Sequence, residues 1–401
     1  MINTKFILGE AGTAKTSTII DTLDNLNDYV CLALTHSAVK NMSNKFITKY
    51  TEKTPSINIE TSDIKISIYE TSYIEDHFKT IHSFFRLKFD ENGNEVYQLN
   101  QNIDIPDYIF IDEISLVPLT IINIIYQTIL KNISSERTVN LILVGDLLQL
   151  NPISKINNLI DYHRLFSIPN INMGFQEAML IASHLSNNIF STDYYQNSSK
   201  IILTKNYRSN TKVLNILNEV ITEFKRVKKY IIRDPIKMVN DGYIVLSSRY
   251  DYLKEIYQKV DKSCYKFNIK SDIGMLYFND GDELLLTKNL DKHFVNGDRV
   301  KIYFKKNTIE LYNGENVYYF IHNPMDRYPL LPLNFITIHK AQGLSLDKVL
   351  IILDDMFEIT MLYTAITRAI NDVKFVALNK IPTKKMNLYN KSFNIMKSIL
   401  Y

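Results

Sequence analysis

Short, nearly unbroken apolar runs punctuate the chain at Lys5-Phe6-Ile7-Leu8, Val30 to Leu34, Tyr108 to Ile111 and Leu141 to Val144. The stretches between them are long enough to hold helices, as parallel strands require, because a parallel crossover cannot be made by a tight turn. This pattern predicts an α/β domain on a parallel sheet over residues 1–194. Similar runs return at Tyr243 to Leu246, Asn334 to Ile338, Val349 to Leu353 and Val373 to Leu378, and predict a second α/β domain over 195–401. Two segments break the rhythm. Around residues 85–102, Asp90-Glu91-Asn92-Gly93-Asn94-Glu95 sits between alternating segments, and Asn-Gly is a strong hairpin signal, so a small β-hairpin insertion is expected. Around residues 280–325, Val295-Asn296-Gly297-Asp298 and Asn313-Gly314 separate alternating runs, which predicts a small antiparallel β-barrel inserted in the second domain.

Composition narrows the class. With 401 residues, 46% hydrophobic and 22% charged, the chain has enough apolar surface for more than one core and does not resemble a disordered protein. Lys and Arg (46) nearly balance Asp and Glu (43), so a polyanionic partner must be met by a local basic surface and not by bulk charge. Only Cys31 and Cys264 are present, outside any CxxC pattern, which gives no support to a disulfide framework or zinc site and fits a reducing compartment. No run of about 18 apolar residues and no signal-peptide pattern is present, so the expected location is cytoplasmic or nucleoid-associated (nuclear in a eukaryote or for a nuclear virus), with no membrane partner and no secretion.

The chemistry is concentrated after three of the predicted strands. Gly9-Glu10-Ala11-Gly12-Thr13-Ala14-Lys15-Thr16 follows a strand and opens a helix, the context of a phosphate-binding P-loop. In such a loop backbone N–H groups and the helix N-terminus face the phosphates, Lys15 reaches the β- and γ-phosphates and Thr16 ligates Mg²⁺. Ala14 stands where the pattern has Gly. A helical backbone is expected there, because Ala disfavours positive φ. Tyr108-Ile109-Phe110-Ile111-Asp112-Glu113 ends an apolar strand on two carboxylates: Asp112 is expected to hold the Mg²⁺ through water and Glu113 to orient or deprotonate the attacking water. A third strand ends in Gly145-Asp146-Leu147-Leu148-Gln149-Leu150, where the Gln149 amide is suited to sensing the γ-phosphate.

These motifs resemble those of superfamily 1 helicases, in the branch of RecD, Dda and the Pif-type enzymes. Thr35-His36-Ser37-Ala38 is similar to motif Ia, Thr80-Ile81-His82-Ser83 to motif Ib, Gly145-Asp146 with Gln149-Leu150 and Pro152 to motif III, and Leu203-Thr204-Lys205-Asn206-Tyr207-Arg208 to motif IV. Thr337-Ile338-His339-Lys340-Ala341-Gln342-Gly343 resembles motif V, and Tyr363-Thr364-Ala365-Ile366-Thr367-Arg368-Ala369 motif VI. The resemblance covers nearly the whole chain. It implies two RecA-like P-loop motor domains, an SH3-like character for the inserted barrel, and ATP with Mg²⁺ as cofactors. It further implies an ATP-dependent DNA helicase or translocase of 5′ to 3′ polarity, acting in DNA replication, repair or recombination.

The resemblance also assigns roles. Arg208 and Arg368 are the arginines that the family brings to the γ-phosphoryl group from the second motor domain, where cations stabilise the charge that develops in hydrolysis. Thr35, His36, His82, Ser83, Thr337, His339 and Lys340 would line a single-strand track through sequence-independent phosphate contacts, with Gln342 and Gly343 coupling it to the nucleotide. The partner implied is single-stranded or forked nucleic acid, DNA favoured and RNA possible. The hairpin falls where the family carries its separation pin, with Phe84, Phe85 or Phe89 as the aromatic wedge or as core. The first strand begins close to Met1, leaving no room for the upstream Gln with which the family contacts adenine, so weak base selectivity or another mode of holding the adenine is expected. The competing readings are a viral-type superfamily 1 RNA helicase and an ATP-gated module that clamps a strand without unwinding it.

Overall fold

The computed structural model describes residues 1–53, 72–89, 95–96, 102–151, 174–185, 189, 192–291, 293–314, 316–354, 356, 358–379 and 383–400. Two compact units divide the chain, Met1–Tyr207 with Ile395–Tyr401, and Arg208–Asn394.

In the first unit, strands β1 (Ile2–Gly9), β2 (Tyr29–Ala33), β3 (Phe78–Thr80), β6 (Tyr108–Asp112), β7 (Val139–Gly145) and β8 (Ser199–Leu203) form one sheet, in the order β3-β2-β6-β7-β1-β8. Every pairing in it is parallel. The registers place Leu8 opposite Gly145, and Ala33 opposite both Thr80 and Asp112. The carboxyl ends of β1, β2, β3, β6 and β7 therefore line one edge, the edge at which open α/β sheets bind ligands.

Helices cover the sheet with apolar faces. In Lys15–Leu23 the residues Ile19, Ile20 and Leu23 are buried, and in Leu119–Asn132 the residues Ile121, Ile122, Ile125, Tyr126 and Ile129, at the spacing of one helical face. The side chains of Ile7, Cys31, Phe110 and Val144 meet Ile19, Ile20 and Met42 in one core cluster.

One expectation changes here. The domain boundary expected after residue 194 falls after Tyr207, because β8 pairs with β1 along Lys5–Gly9 and so completes the first sheet. The small hairpin is formed by β4 (Lys88–Phe89) and β5 (Glu95–Val96), paired antiparallel, while its Asn92-Gly93 tip lies outside the described residues. Of its aromatic candidates, Phe85 is fully buried, edge-to-face with Phe84, and is therefore a core residue rather than a wedge.

The second unit has a four-stranded parallel sheet in the order β17-β9-β18-β19, from β9 (Ile244–Ser247), β17 (Phe335–Thr337), β18 (Leu346–Ile352) and β19 (Ala369–Val376). The helix Thr211–Thr222 buries Val213, Ile216, Leu217, Val220 and Ile221, and its start is fixed by Asn210, whose Oδ1 accepts from Val213 N at 2.9 Å.

Between β9 and β17 lies an antiparallel insertion. The hairpin of β10 (Phe267–Ser271) and β11 (Gly274–Phe278) precedes a five-stranded sheet of β12 (Glu283–Leu286), β13 (Arg299–Lys305), β14 (Thr308–Asn313), β15 (Asn316–Ile321) and β16 (Leu330–Pro332). The expected barrel is thus larger than about 280–325, because β16 pairs with β12. Its described pairings run in an open row from β15 to β16.

Candidate nucleotide-binding site

The loop between β1 and the helix Lys15–Leu23 is shaped by two glycines with different reasons to be glycine. A Cβ at Gly9 would lie 2.5 Å from Thr13 Oγ1 and 2.6 Å from Leu203 O, so the position has no room for a side chain. Gly12 adopts φ 86°, which favours glycine for conformational reasons.

Ala14 departs from its expected conformation. It is left-handed, with φ 62° and ψ 25°, immediately before the first helical residue. The turn that presents the loop's backbone overrides the residue's own preference, and the left-handed region costs an L-residue roughly 1–2 kcal/mol. Glycine would remove that strain but is more disordered in the unfolded chain by roughly 0.5–1 kcal/mol. Ala14→Gly is therefore expected to stabilise the protein by about 0.5–1 kcal/mol, read as a higher urea midpoint with unchanged slope. A lower midpoint would show that the loop is not strained at this residue.

Lys15 Nζ donates to the carbonyls of Gly9 at 2.8 Å and Glu10 at 2.9 Å, which draws the ammonium into the ring of the loop. Thr16 Oγ1 donates to Asp112 Oδ2 at 2.8 Å, joining two motifs 96 residues apart. Asp112 is 4% exposed, and its Oδ1 accepts from Glu113 N at 2.8 Å. Glu113 is itself left-handed, φ 52° and ψ 44°, which turns the chain sharply at the end of β6. Burial, reinforced by the charge of Asp112, pushes the Cys31 thiol up, so this cysteine is not an activated nucleophile.

Behind this turn Gly145 allows close approach: a Cβ there would lie 2.8 Å from Ile114 Cγ2 and 3.1 Å from Ile114 N. The loop that follows is tightly tied. Asp146 is fully buried, and its carboxylate accepts from Leu148 N at 3.1 Å and from Gln149 Nε2 at 3.0 Å. Gln149, expected to face the γ-phosphate, is 2% exposed with its amide N–H directed to Asp146. Pro152 lies outside the described residues.

Sequence reasoning missed three residues at this edge. Asn206 Nδ2 donates to Ala11 O at 2.7 Å and Tyr207 N to Gly12 O at 2.8 Å, so the end of the motif IV-like segment lies on the P-loop. The third is His184, on the helix Phe175–Leu185. Its Nε2 lies 3.3 Å from Leu147 O and its Nδ1 2.7 Å from Asn151 Nδ2, which also meets His184 O at 2.5 Å. The carbonyl accepts from Nε2–H and the amide donates to Nδ1, which defines a neutral ring. A lone His in an apolar helix carries no sequence signal of this.

Burial lowers the His184 pKa from 6.5 to about 4, opposed by the bond to Leu147 O. The folded pKa lies below the unfolded one, so the unfolded chain takes up the proton first as pH falls. Stability from this group is complete above about 6.5 and is lost between 6.5 and about 4. The loss is expected to be of order 1–3 kcal/mol, and His184→Gln should flatten that part of the urea-midpoint profile. An unchanged profile would exclude the buried neutral ring.

In the second unit, the two expected arginines come together. Arg208 Nη1 donates to Thr367 O at 3.3 Å, Ser209 Oγ to Ala369 O at 2.7 Å and Asn210 N to Ile370 O at 2.9 Å, which clips the motif IV-like segment along the motif VI-like one. Arg368 is 1% exposed; its Nε donates to Thr364 O at 3.1 Å and its Nη2 to Thr367 Oγ1 at 3.3 Å. At the end of β17, Thr337 caps the short helix Ile338–Ala341 by accepting from Lys340 N, and burial holds the Lys340 ammonium below the usual lysine range, opposed by Asp272. Gln342 is buried and Gly343 is left-handed at φ 81°.

The remaining strand-contact candidates of the first unit occupy the ligand edge of its sheet. Thr35 and His36 are exposed after β2, with Thr35 Oγ1 accepting from Ala38 N at 3.2 Å. After β3, Ser83 is exposed, His82 is half-buried, and Thr80 Oγ1 accepts from Ser83 N at 3.1 Å.

The loop after β1, the strand-end Asp-Glu pair and a parallel sheet in each unit give the chain an α/β fold with a P-loop, and a family model described as an AAA domain matches residues 2–155. Along most of its length the chain is similar to Pif1 helicases. It is 23% identical to the ATP-dependent DNA helicase Pif1 of Campylobacter jejuni subsp. jejuni, with 79% of this chain and 82% of that protein covered. Among solved structures it shares the fold of a Pif1 helicase from work on DNA unwinding at forked dsDNA by two coordinating Pif1 helicases (TM-score 0.58, 19% identity, 96% and 89% of the two chains). It likewise shares the fold of Bacteroides sp Pif1 in complex with ADP-AlF4 (TM-score 0.55, 18% identity, 99% and 93%).

Proposed function

We propose that this chain is an ATP-dependent DNA helicase and translocase that moves 5′ to 3′ on single-stranded DNA and opens forked duplexes. The observation that carries the reading is the Thr16–Asp112 hydrogen bond at the mouth of the P-loop. It joins a hydroxyl and a carboxylate in the positions that hold Mg²⁺ with a nucleoside triphosphate. Two hard oxygen donors 2.8 Å apart fit that ion. Thr16 and Asp112 would hold the ion beside a bound ATP, where it would supply positive charge against the charge that develops in hydrolysis. Gly9 to Thr16 surround the phosphates with backbone N–H groups, and Lys15 exchanges its two carbonyl partners for phosphate oxygens. Glu113 orients the attacking water and accepts its proton.

Arg208 and Arg368 are assigned to the γ-phosphoryl group, and Thr35, His36, His82, Ser83, Thr337, His339 and Lys340 to the strand, with Gln342 and Gly343 linking the two. Similarity to the ATP-dependent DNA helicase Pif1 and to Pif1 helicases that unwind forked double-stranded DNA favours DNA over RNA. The work is expected inside the cell, wherever its DNA lies.

The test is ATP hydrolysis measured without polymer, with single-stranded DNA and with single-stranded RNA, on the natural chain and on Lys15→Ala, followed by unwinding of duplexes with a 5′ or a 3′ tail. The reading expects stimulation by DNA above that by RNA, loss of turnover in Lys15→Ala and opening of the 5′-tailed duplex. Absence of polymer stimulation would overturn the motor assignment, and equal stimulation by RNA would overturn the preference for DNA.

A further inference from the structure

The loop that carries Gln149 is held from outside at two points that bracket this residue, and one side chain serves both. His184 meets Leu147 O through Nε2 at 3.3 Å, and the amide of Asn151 reaches back to His184 at Nδ1 (2.7 Å) and at its carbonyl (2.5 Å). Within the loop Asp146 ties Leu148 N and Gln149 Nε2, and Leu147, Leu148 and Leu150 are buried. The helix Phe175–Leu185 is thus fastened to residues 147 and 151, on either side of position 149. A loop fixed at both shoulders cannot tilt without breaking hydrogen bonds that are part-buried, and such a break costs the desolvation of each group left behind.

From this arrangement we propose that His184, with Asn151, is a positioning residue for ATP hydrolysis: it holds the Asp146–Gln149 turn in the orientation that the γ-phosphoryl group requires. The proposal rests on the nucleotide site assigned above. It predicts that the clamp acts on turnover and not on nucleotide affinity, because the hydrogen bonds of His184 go to Leu147 and Asn151 in the Gln149 loop, while an ångström of displacement at a reacting group can cost up to about a hundredfold in rate.

The variants separate packing from hydrogen bonding. His184→Phe keeps an aromatic ring and loses both side-chain ties, while Asn151 can still reach the carbonyl of residue 184. His184→Gln retains a donor for Leu147 O. Asn151→Asp keeps the shape and loses the amide donor. Each is read by DNA-stimulated kcat, KM for ATP, affinity for a fluorescent ATP analogue and thermal midpoint.

His184→Phe and Asn151→Asp are expected to lower kcat about tenfold or more, with KM and nucleotide affinity within about twofold, and His184→Gln to recover most of the loss. The deciding measurement is a double-mutant cycle with Gln149→Ala. In that background His184→Phe should cost less than about twofold, since both changes remove the same orientation.

A natural chain without DNA-stimulated hydrolysis would remove the reading of the site itself. A natural chain that hydrolyses ATP normally while His184→Phe matches it, or while the two changes multiply independently, would overturn the clamp alone. If His184→Phe lowers the thermal midpoint so far that its kinetics cannot be read, Asn151→Asp and His184→Gln carry the test. Full activity in Asn151→Asp then counts against the clamp, and a kcat loss confined to Asn151→Asp counts for it.

Discussion

Glu113→Gln is expected to bind ATP about as well as the natural chain and to hydrolyse it about 10²–10⁴-fold more slowly, the range associated with losing a positioned general base. That equals about 3–5 kcal/mol of transition-state stabilisation. The neighbouring carboxylate cannot substitute. Asp112 already accepts from Thr16 Oγ1 through Oδ2 and from Glu113 N through Oδ1, so both of its oxygens are directed elsewhere. The left-handed backbone at Glu113 sets its side chain apart from that of Asp112 despite their adjacency, and Gln keeps both size and backbone demand. Single-turnover hydrolysis on preformed complexes isolates the chemical step. A rate within tenfold of the natural chain would show that another group takes the proton.

The second large effect is steric. Gly9→Ala places a methyl group 2.5 Å from Thr13 Oγ1 and 2.6 Å from Leu203 O. The hydroxyl can rotate, but Leu203 O belongs to a strand in register with β1, where Gly9 pairs with Leu203. Backbone must move, and overpacking of this kind costs about 1–3 kcal/mol. The displaced atoms are those of the phosphate loop, so nucleotide affinity is expected to fall together with stability, measured by urea unfolding and titration of a fluorescent ATP analogue. Gly242→Ala is the control of opposite type: among the described residues nothing lies within 4 Å of a Cβ there, and only the positive φ of 84° is penalised. If Gly9→Ala proves no worse than Gly242→Ala, the loop is more compliant than its geometry implies.

The parts of this site that could be read from sequence are those built from local pattern. A strand, a turn and a helix start are contiguous, so Gly9 to Thr16 and Asp112-Glu113 declare themselves, and the Thr16–Asp112 contact follows once β1 and β6 lie parallel in one sheet on either side of β7. What remained hidden depends on long-range pairing. Ser199–Leu203 is mostly exposed and precedes a motif IV-like segment, so it reads as the start of the second domain until its pairing with β1 is known. Ala14 misleads because a residue's intrinsic preference is weaker than the demand of the loop around it. Asn206 acts through a backbone carbonyl, which any sequence supplies, and His184 through the carbonyl of Leu147 and the amide of Asn151, 33 residues away in sequence, so no local pattern advertises either.

The bonds from Asn206 and Tyr207 to the carbonyls of Ala11 and Gly12 give the phosphate loop a tether. The tether leads directly into Arg208, where the second unit begins. Tension applied along the chain past residue 207 is delivered to the same carbonyl groups that shape the nest for a triphosphate. By reciprocity, any ligand whose affinity depends on those two hydrogen bonds must change their strength by the same free energy, so filling the loop and pulling on residue 207 would act on one pair of contacts.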